Sequence, residues 1–360
     1  MLETQFLSFF IVLLTAVVFS TFFTRFHISW VVALIIGGMA VGPFGLDIFY
    51  PDTSVLFMSE IGLIFLMFMA GLEVKLSNLG RNILPVSFIG VVNSIIPFAV
   101  GFGIGMLFDL GTAISTLIGI TFVSASVAVI VPTLTTHNIL RTRIGNAIIG
   151  SIMIQDVISL VLLSIFFQTT SDITSLPLPL FYMFLFVILY FARKLLIKIE
   201  QWIAAKSDPT KQDKSFNQEF RVTIFVLIMT VAIFEVLGLH PIIAGFFAGF
   251  VLSDTIKHEV LKEKIRAISY GLFIPIFFVV LGAQVDLNIL SQFSNIGMSV
   301  VMITVIVLGA ILSKLIGGFI ASRFAGFPIQ QSKLIAVSSV AHLSTTLAVI
   351  AIASNTIAVP

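Results

Sequence analysis

Two polar residues stand side by side inside an otherwise apolar run: Gln155 and Asp156 in GNAIIGSIMIQDVISLVLLSIFF. A carboxylate at the centre of a hydrophobic helix costs about 2.5–3.5 kcal/mol to insert into a bilayer, so it faces a protein interior or a water cavity and has a purpose there. A single accessible carboxylate binds a proton or a monovalent cation, but not both at once. If each loaded form can cross and the empty form cannot, competition for that one seat enforces exchange. A buried Asp that only ties helices together is the plainer reading. Lys314, in VLGAILSKLIGGFIASR, is a second charge at depth. It lies about nine residues from the inner end of its run, roughly 13 Å at the helical rise, which is deep for snorkelling. Asp156 is the acid at matching depth. The alternative is a lysine that packs its stem and reaches carbonyls at a helix end.

Hydroxyl-rich runs could complete such a seat. One run, TLIGITFVSASVAVIVPTLTT, places Thr121, Ser124, Ser126 and Pro132 in apolar sequence; another, AVSSVAHLSTTLAVIA, carries Ser338, Ser339, His342, Ser344, Thr345 and Thr346. Proline leaves a carbonyl unpaired, and segments of this kind suit helices that unwind at mid-bilayer and offer carbonyls and helix ends to an ion. Helix packing through small hydroxyl residues is the plainer reading. Hard cations take oxygen ligands; the Asp156 carboxylate, hydroxyls such as Ser126 and unwound carbonyls supply them. His342 could titrate or line a pathway with Ser344 and Thr345, or simply pack. Gln155 is neutral, so one acid is available and exchange should be one-for-one and electroneutral. Asn93 reads as a helix-bridging amide, and Glu60, Glu73 and Glu235 fall near the ends of their runs.

These residues need a membrane around them. Of 360 residues 58% are hydrophobic and only 10% charged, whereas a soluble domain carries roughly 25% charged residues. The 37 Phe and 25 Gly suit lipid-facing bulk and close helix packing. With no cysteine there is no disulfide framework, thiolate metal site or cysteine nucleophile. Runs long enough to span the hydrocarbon core fall at 4–23, 28–45, 56–74, 83–107, 112–134, 146–167, 175–192, 220–237, 241–253, 268–285, 296–321 and 333–353. Placing the N-terminus outside puts 18 of the 19 Lys and Arg residues in inside loops, leaving only Lys314 within a span, while the outside loops hold acids such as Asp47, Asp52 and Asp109. That alternation is the one expected of loop charge in membranes. The expected organisation is a first repeat over 1–192, a cytoplasmic linker over 193–221 and a second repeat over 222–360.

The chain also matches itself. Shifted by 211 positions, Ala33 and Gly38 fall on Ala244 and Gly249, and Gly71, Val74 and Leu76 fall on Gly282, Val285 and Leu287. A shift of 220 sets VAVIV of the fifth span on LAVIA of the twelfth. Equivalent helices are separated by seven spans, so the halves start on opposite sides: an inverted repeat, as in secondary transporters. By the repeat, a thirteenth helix is expected beyond residue 360.

The twelve-span pattern, GPFGL, EIGLIFLMFMAGLEV, the serine-bearing fifth span, Asp156, HPIIAGFFAGFVLSD, IPIFFVVLGAQVDL and Lys314 together resemble the monovalent cation:proton antiporter-2 family, including Kef-type potassium/proton and NapA-type sodium/proton exchangers. The resemblance covers essentially the whole chain. It implies an all-α, NhaA-like antiporter fold with crossed broken helices, and a homodimer in the plasma (inner) membrane whose six-helix core carries the ion. It further implies that Asp156 binds the ion, that Lys314 is the membrane lysine, and that the Gln155–Asp156 pair is Kef-like, favouring potassium. No cofactor is expected beyond the transported cation and proton, and no nucleic acid. A regulatory subunit could be a separate cytoplasmic chain, since the nucleotide-binding domain common on Kef-type proteins is absent from this sequence. Ala341–His342 stands where many relatives have a Gly–Glu pair. A channel or uniporter is a rival, because broken helices also line pores; an organic-anion cotransporter is another, disfavoured because no arginine is placed to meet a carboxylate. An intramembrane aspartyl protease needs two facing acids, and only one is central.

Overall fold

Apolar runs separated by short polar connections become long helices, because a backbone in lipid must satisfy its own hydrogen bonds. The computed structural model describes residues 2–26, 29–73, 83–126, 130, 134, 137–139, 142–170, 191, 194, 198, 212–236, 241–253, 259–285 and 296–342. Among these residues every regular element is helical. We number them α1 (Leu2–Thr24), α2 (Trp30–Val41), α3 (Thr53–Glu73), α4 (Ile83–Leu107), α5 (Gly111–Val123), α6 (Arg143–Thr170), α7 (Gln212–Val236), α8 (Pro241–Leu252), α9 (Glu259–Ile268), α10 (Ile274–Ala283), α11 (Ile296–Phe324) and α12 (Ile329–Ser338). Six helical stretches among the described residues are long and apolar enough to cross a bilayer, and Trp30–Val41 and Gly111–Val123 are shorter apolar helices. The seventh expected span, 175–192, and the second half of the twelfth lie almost wholly outside the described residues.

Two boundaries differ from the sequence reading. Helix α7 begins at Gln212, inside the charged stretch read as a linker. Helix α9 carries Lys262, Lys264 and Arg266 of an expected loop and runs through a π-helical turn, Ser269–Phe273, into α10. In both cases charge marks where the membrane ends, and a helix continues past that point because its hydrogen bonds are internal. Between α2 and α3, Asp52 Oδ1 accepts the backbone N–H groups of Ser54 and Val55 at 2.9 Å and so caps α3. In the same turn the Tyr50 hydroxyl donates to the Asp47 carboxylate, and that bond together with the carboxylate's charge holds the Tyr50 phenol above its ordinary pKa.

The chain divides into two compact units. The first comprises Met1–Met69, Lys194–Met229 and Thr255–Ile296; the second comprises Ala70–Arg193, Thr230–Asp254 and Gly297–Pro360. Each draws on both halves of the sequence. Glycine makes the tightest crossing in each, and the two crossings correspond at the shift of 211 positions. In the first unit a Cβ on Gly282 of α10 would lie 2.1 Å from the Ile35 carbonyl oxygen of α2. In the second, a Cβ on Gly71 at the end of α3 would lie 2.1 Å from the Phe246 carbonyl oxygen of α8. Gly71 is the equivalent of Gly282, and Ile35 of Phe246. In each crossing a first-repeat helix meets the second-repeat counterpart of its neighbour, α2 against α10 and α3 against α8, with roles exchanged, as an inverted repeat would pack.

The second unit also contains two helices that stop short of a full span. Helix α5 ends at Val123, where Ser124 turns to φ −57°, ψ 148°, and residues 124–126 are irregular. Helix α12 ends at Ser338, followed by a turn and the irregular residues 341 and 342. The two breaks meet: the Ser126 N–H donates to the Ala341 carbonyl at 2.7 Å. Unpaired peptide groups inside a membrane are costly, and here each break satisfies the other.

Candidate functional site

The site lies in the second unit, where α6 passes the two breaks. Helix α6 buries Gln155 completely and leaves Asp156 only 5% exposed. The last carbonyls of α5 have no partner in their own helix, and they carry the negative end of its dipole. Lys314 of α11, 0% exposed, answers both demands. Its Nζ donates to the Val123 carbonyl at 2.6 Å and to Gln155 Oε1 at 2.5 Å.

The sequence reading expected Asp156 to be the partner of Lys314 and kept helix-end carbonyls as the alternative. The observed hydrogen bonds of the ammonium match the alternative, with Gln155 added, while the Asp156 carboxylate attracts it electrostatically. Gln155 is spent on both sides. Its Nε2 donates to the Ser151 carbonyl at 3.1 Å, and its Oε1 also faces Asn93 Nδ2 of α4 at 3.4 Å. Asp156 Oδ1 accepts the Ala125 backbone N–H at 3.4 Å, inside the α5 break.

The remaining expected residues distribute unevenly. Ser124 and Ser126 are fully buried in the break, and Ser126 Oγ has no hydrogen-bond partner among the described residues. Thr121, half-buried, returns its hydroxyl to the Ile118 carbonyl at 2.7 Å. His342 is half-buried beside the second break. Ser344 and Thr345 lie outside the described residues. Three participants were missed as site residues by sequence reasoning: the Val123 carbonyl, which no side-chain motif can announce; Asn93, read only as a bridging amide; and the Gly317–Gly318 pair one turn beyond Lys314, visible in the sequence as LIGG. A cleft of about 270 Å³, lined by Phe98 of α4, Thr112, Thr116 and Ile120 of α5 and Leu162 and Phe166 of α6, opens along α5 and reaches the residue before Thr121. Among the described residues no group of three His, Cys, Asp or Glu side chains could hold a metal ion.

A buried acid and a buried lysine lie beside two helix breaks that meet, the kind of place where transporters built of discontinuous helices hold their ions. Comparison with known proteins decides the family. The family model described as "Sodium/hydrogen exchanger, transmembrane" matches residues 10–359. The chain belongs to the sodium/hydrogen exchanger family. It is a multi-pass membrane protein and a transporter that exchanges cations for protons, not an enzyme. Among relatives, it is 29% identical over 350 residues to "Probable Na(+)/H(+) antiporter 3" of Methanocaldococcus jannaschii, covering 96% of this chain and 87% of that protein. It is 31% identical over 327 residues to the "Na(+)/H(+) antiporter" of Enterococcus hirae, covering 88% of this chain and 81% of that one. The fold resembles the solved sodium proton antiporter MjNhaP1 of Methanocaldococcus jannaschii, with a TM-score of 0.71 over 98% of this chain and 86% of that one at 17% identity.

Proposed function

We propose that this exchanger moves one alkali cation against one proton, both using the Asp156 carboxylate in turn, by alternating access and without net charge transfer. The observation that carries the reading is the burial of Asp156 at the α5 break while Lys314 is occupied by Gln155 and Val123. The acid is buried among the main chain and hydroxyls of that break, where an exchanged ion would find further oxygens. Ser124 and Ser126 belong to the same break and offer hydroxyls. The cleft along α5 supports a route from the Thr112 end of that helix towards the break, and we include His342, Ser344 and Thr345 among the pathway residues.

Stoichiometry follows from charge. The pair at mid-membrane is Gln155–Asp156, so one carboxylate alternates between proton and cation, and each half-cycle carries the same charge. That pair is the feature shared with Kef-type members of the antiporter-2 family, and we assign the chain there with potassium as the preferred cation. Sodium is the second reading, favoured by the names of the relatives from Methanocaldococcus and Enterococcus. The working unit is a homodimer in the plasma membrane with the N-terminus outside.

The test is dissipation of an imposed pH gradient in proteoliposomes, adding lithium, sodium and potassium salts in turn. Wild type should collapse the gradient with one or more of these cations and show no dependence on an imposed membrane potential. Asp156→Asn should abolish the response to all three. Undiminished exchange in that variant sinks the proposal, as does cation flux that follows the potential and moves no protons, which would indicate a channel.

A further inference from the structure

The amide of Asn93 has no role in the exchange chemistry above, yet it is fully buried at the site and its Oδ1 has no hydrogen-bond partner among the described residues. A buried, half-satisfied amide is destabilising on its own account, so its retention calls for a reason. Three observations converge. Asn93 Nδ2 points at Gln155 Oε1, the atom that accepts from Lys314. The reverse amide orientation would set two carbonyl oxygens against each other, so the donor must face Gln155. On its other side Asn93 lies in a slot made by missing side chains: a Cβ on Gly317 would come 2.7 Å from Asn93 Oδ1, and one on Gly318 would come 3.4 Å from Asn93 Nδ2. Finally, Pro97 lies inside α4, four residues on, and cannot donate to the Asn93 carbonyl, which loosens the helix at that turn.

We infer that Asn93 is a positioning residue for exchange, seated by Gly317 and acting through Gln155 to keep Lys314 off the acid. With Asn93 in place, the Gln155 amide has a single orientation, Nε2 to the Ser151 carbonyl and Oε1 to Lys314. With Asn93 gone, the Gln155 amide turns, Lys314 loses an acceptor, and its ammonium swings to Asp156. An internal ion pair then competes with the transported cation. Asn93 thereby sets cation affinity without touching the cation. The inference rests on the exchange reading of Asp156.

The test measures cation-dependent collapse of a pH gradient in proteoliposomes over a range of cation concentration, for Asn93→Ser, Gly317→Ala and the double variant. Serine is chosen because its hydroxyl can return to its own helix, as Ser94 does to the Gly90 carbonyl at 2.7 Å, leaving no new orphan. Asn93→Ser should raise the apparent KM for the cation roughly three- to tenfold, the size of a coupling between contacting side chains, with the maximal rate within about twofold. Gly317→Ala should do the same, since its closest clash is with Asn93 Oδ1 and its next contacts, to Ile96, begin at 3.4 Å. In the Asn93→Ser background Gly317→Ala should add nothing. An unchanged KM in Asn93→Ser, or an equal further rise in the double variant, overturns the inference, the latter because it locates the effect in helix packing. Active Asp156→Asn protein would instead overturn the exchange reading, so the two failures are distinguishable.

Discussion

At the scale of single residues, the site is a problem of where one ammonium goes. A fully buried lysine is costly unless its protons are accepted, and Lys314 finds a neutral amide and a helix-end carbonyl. Both acceptors are themselves buried and depend on it. Lys314→Met keeps the length and burial of the side chain but leaves the Val123 carbonyl without its donor and Gln155 Oε1 with only the 3.4 Å contact from Asn93 Nδ2. An orphaned buried acceptor costs about 1–3 kcal/mol. The variant should therefore unfold in detergent at a temperature several degrees below wild type, by tryptophan fluorescence or static light scattering. An unshifted transition would mean that the two bonds contribute nothing net.

At the scale of elements, close crossings and broken helices do the positioning. Helix α10 reaches the α2 backbone because residues 38 and 282 have no side chains, and α3 reaches α8 for the same reason at residue 71. In each pair the atom in the way is a backbone oxygen, which cannot rotate aside as a side chain does. Gly282→Ala and Gly71→Ala should each destabilise the protein by about 1–3 kcal/mol, the usual cost of overpacking, and by amounts similar to one another. Thermal unfolding of the two variants side by side is the measurement. A large loss in one and none in the other would show that the repeat is matched in sequence but not in packing energy. The breaks in α5 and α12 follow different logic. They hold together by pairing Ser126 with Ala341, which brings the Ala125 N–H to Asp156 and the Val123 carbonyl to Lys314.

At the scale of the whole molecule, charge placement sets the topology. Basic residues gather in alternate connections, with Lys314 the exception, and a cytoplasmic surplus of Lys and Arg is the rule for membrane proteins. The chain has no cysteine, so single cysteines report without background. In spheroplasts, Asp109→Cys should react with a membrane-impermeant maleimide added outside, and Arg323→Cys only after the membrane is opened. The reverse pattern would invert the proposed orientation.

Much of this protein was legible before any coordinate. The apolar runs and the basic alternation marked a multi-span helical chain because a helix satisfies its own backbone within a continuous apolar run and because loop charge is read by position. The isolated Asp156 marked the candidate site because an acid at that depth is costly to insert. The match at 211 positions pointed to an inverted repeat, and the fold shows its glycines at two equivalent crossings, where backbones approach too closely for a side chain. Tertiary structure alone decided who pairs with whom. The sequence set Lys314 against Asp156 as the obvious opposite charges, but hydrogen bonding depends on direction and reach, and those depend on where α5 stops. That stop places a main-chain carbonyl, invisible to any motif, in front of the ammonium. Asn93 stayed a bridging amide on paper for the same reason: its importance lies in a slot formed by two glycines on another helix, and only folding brings that slot to it.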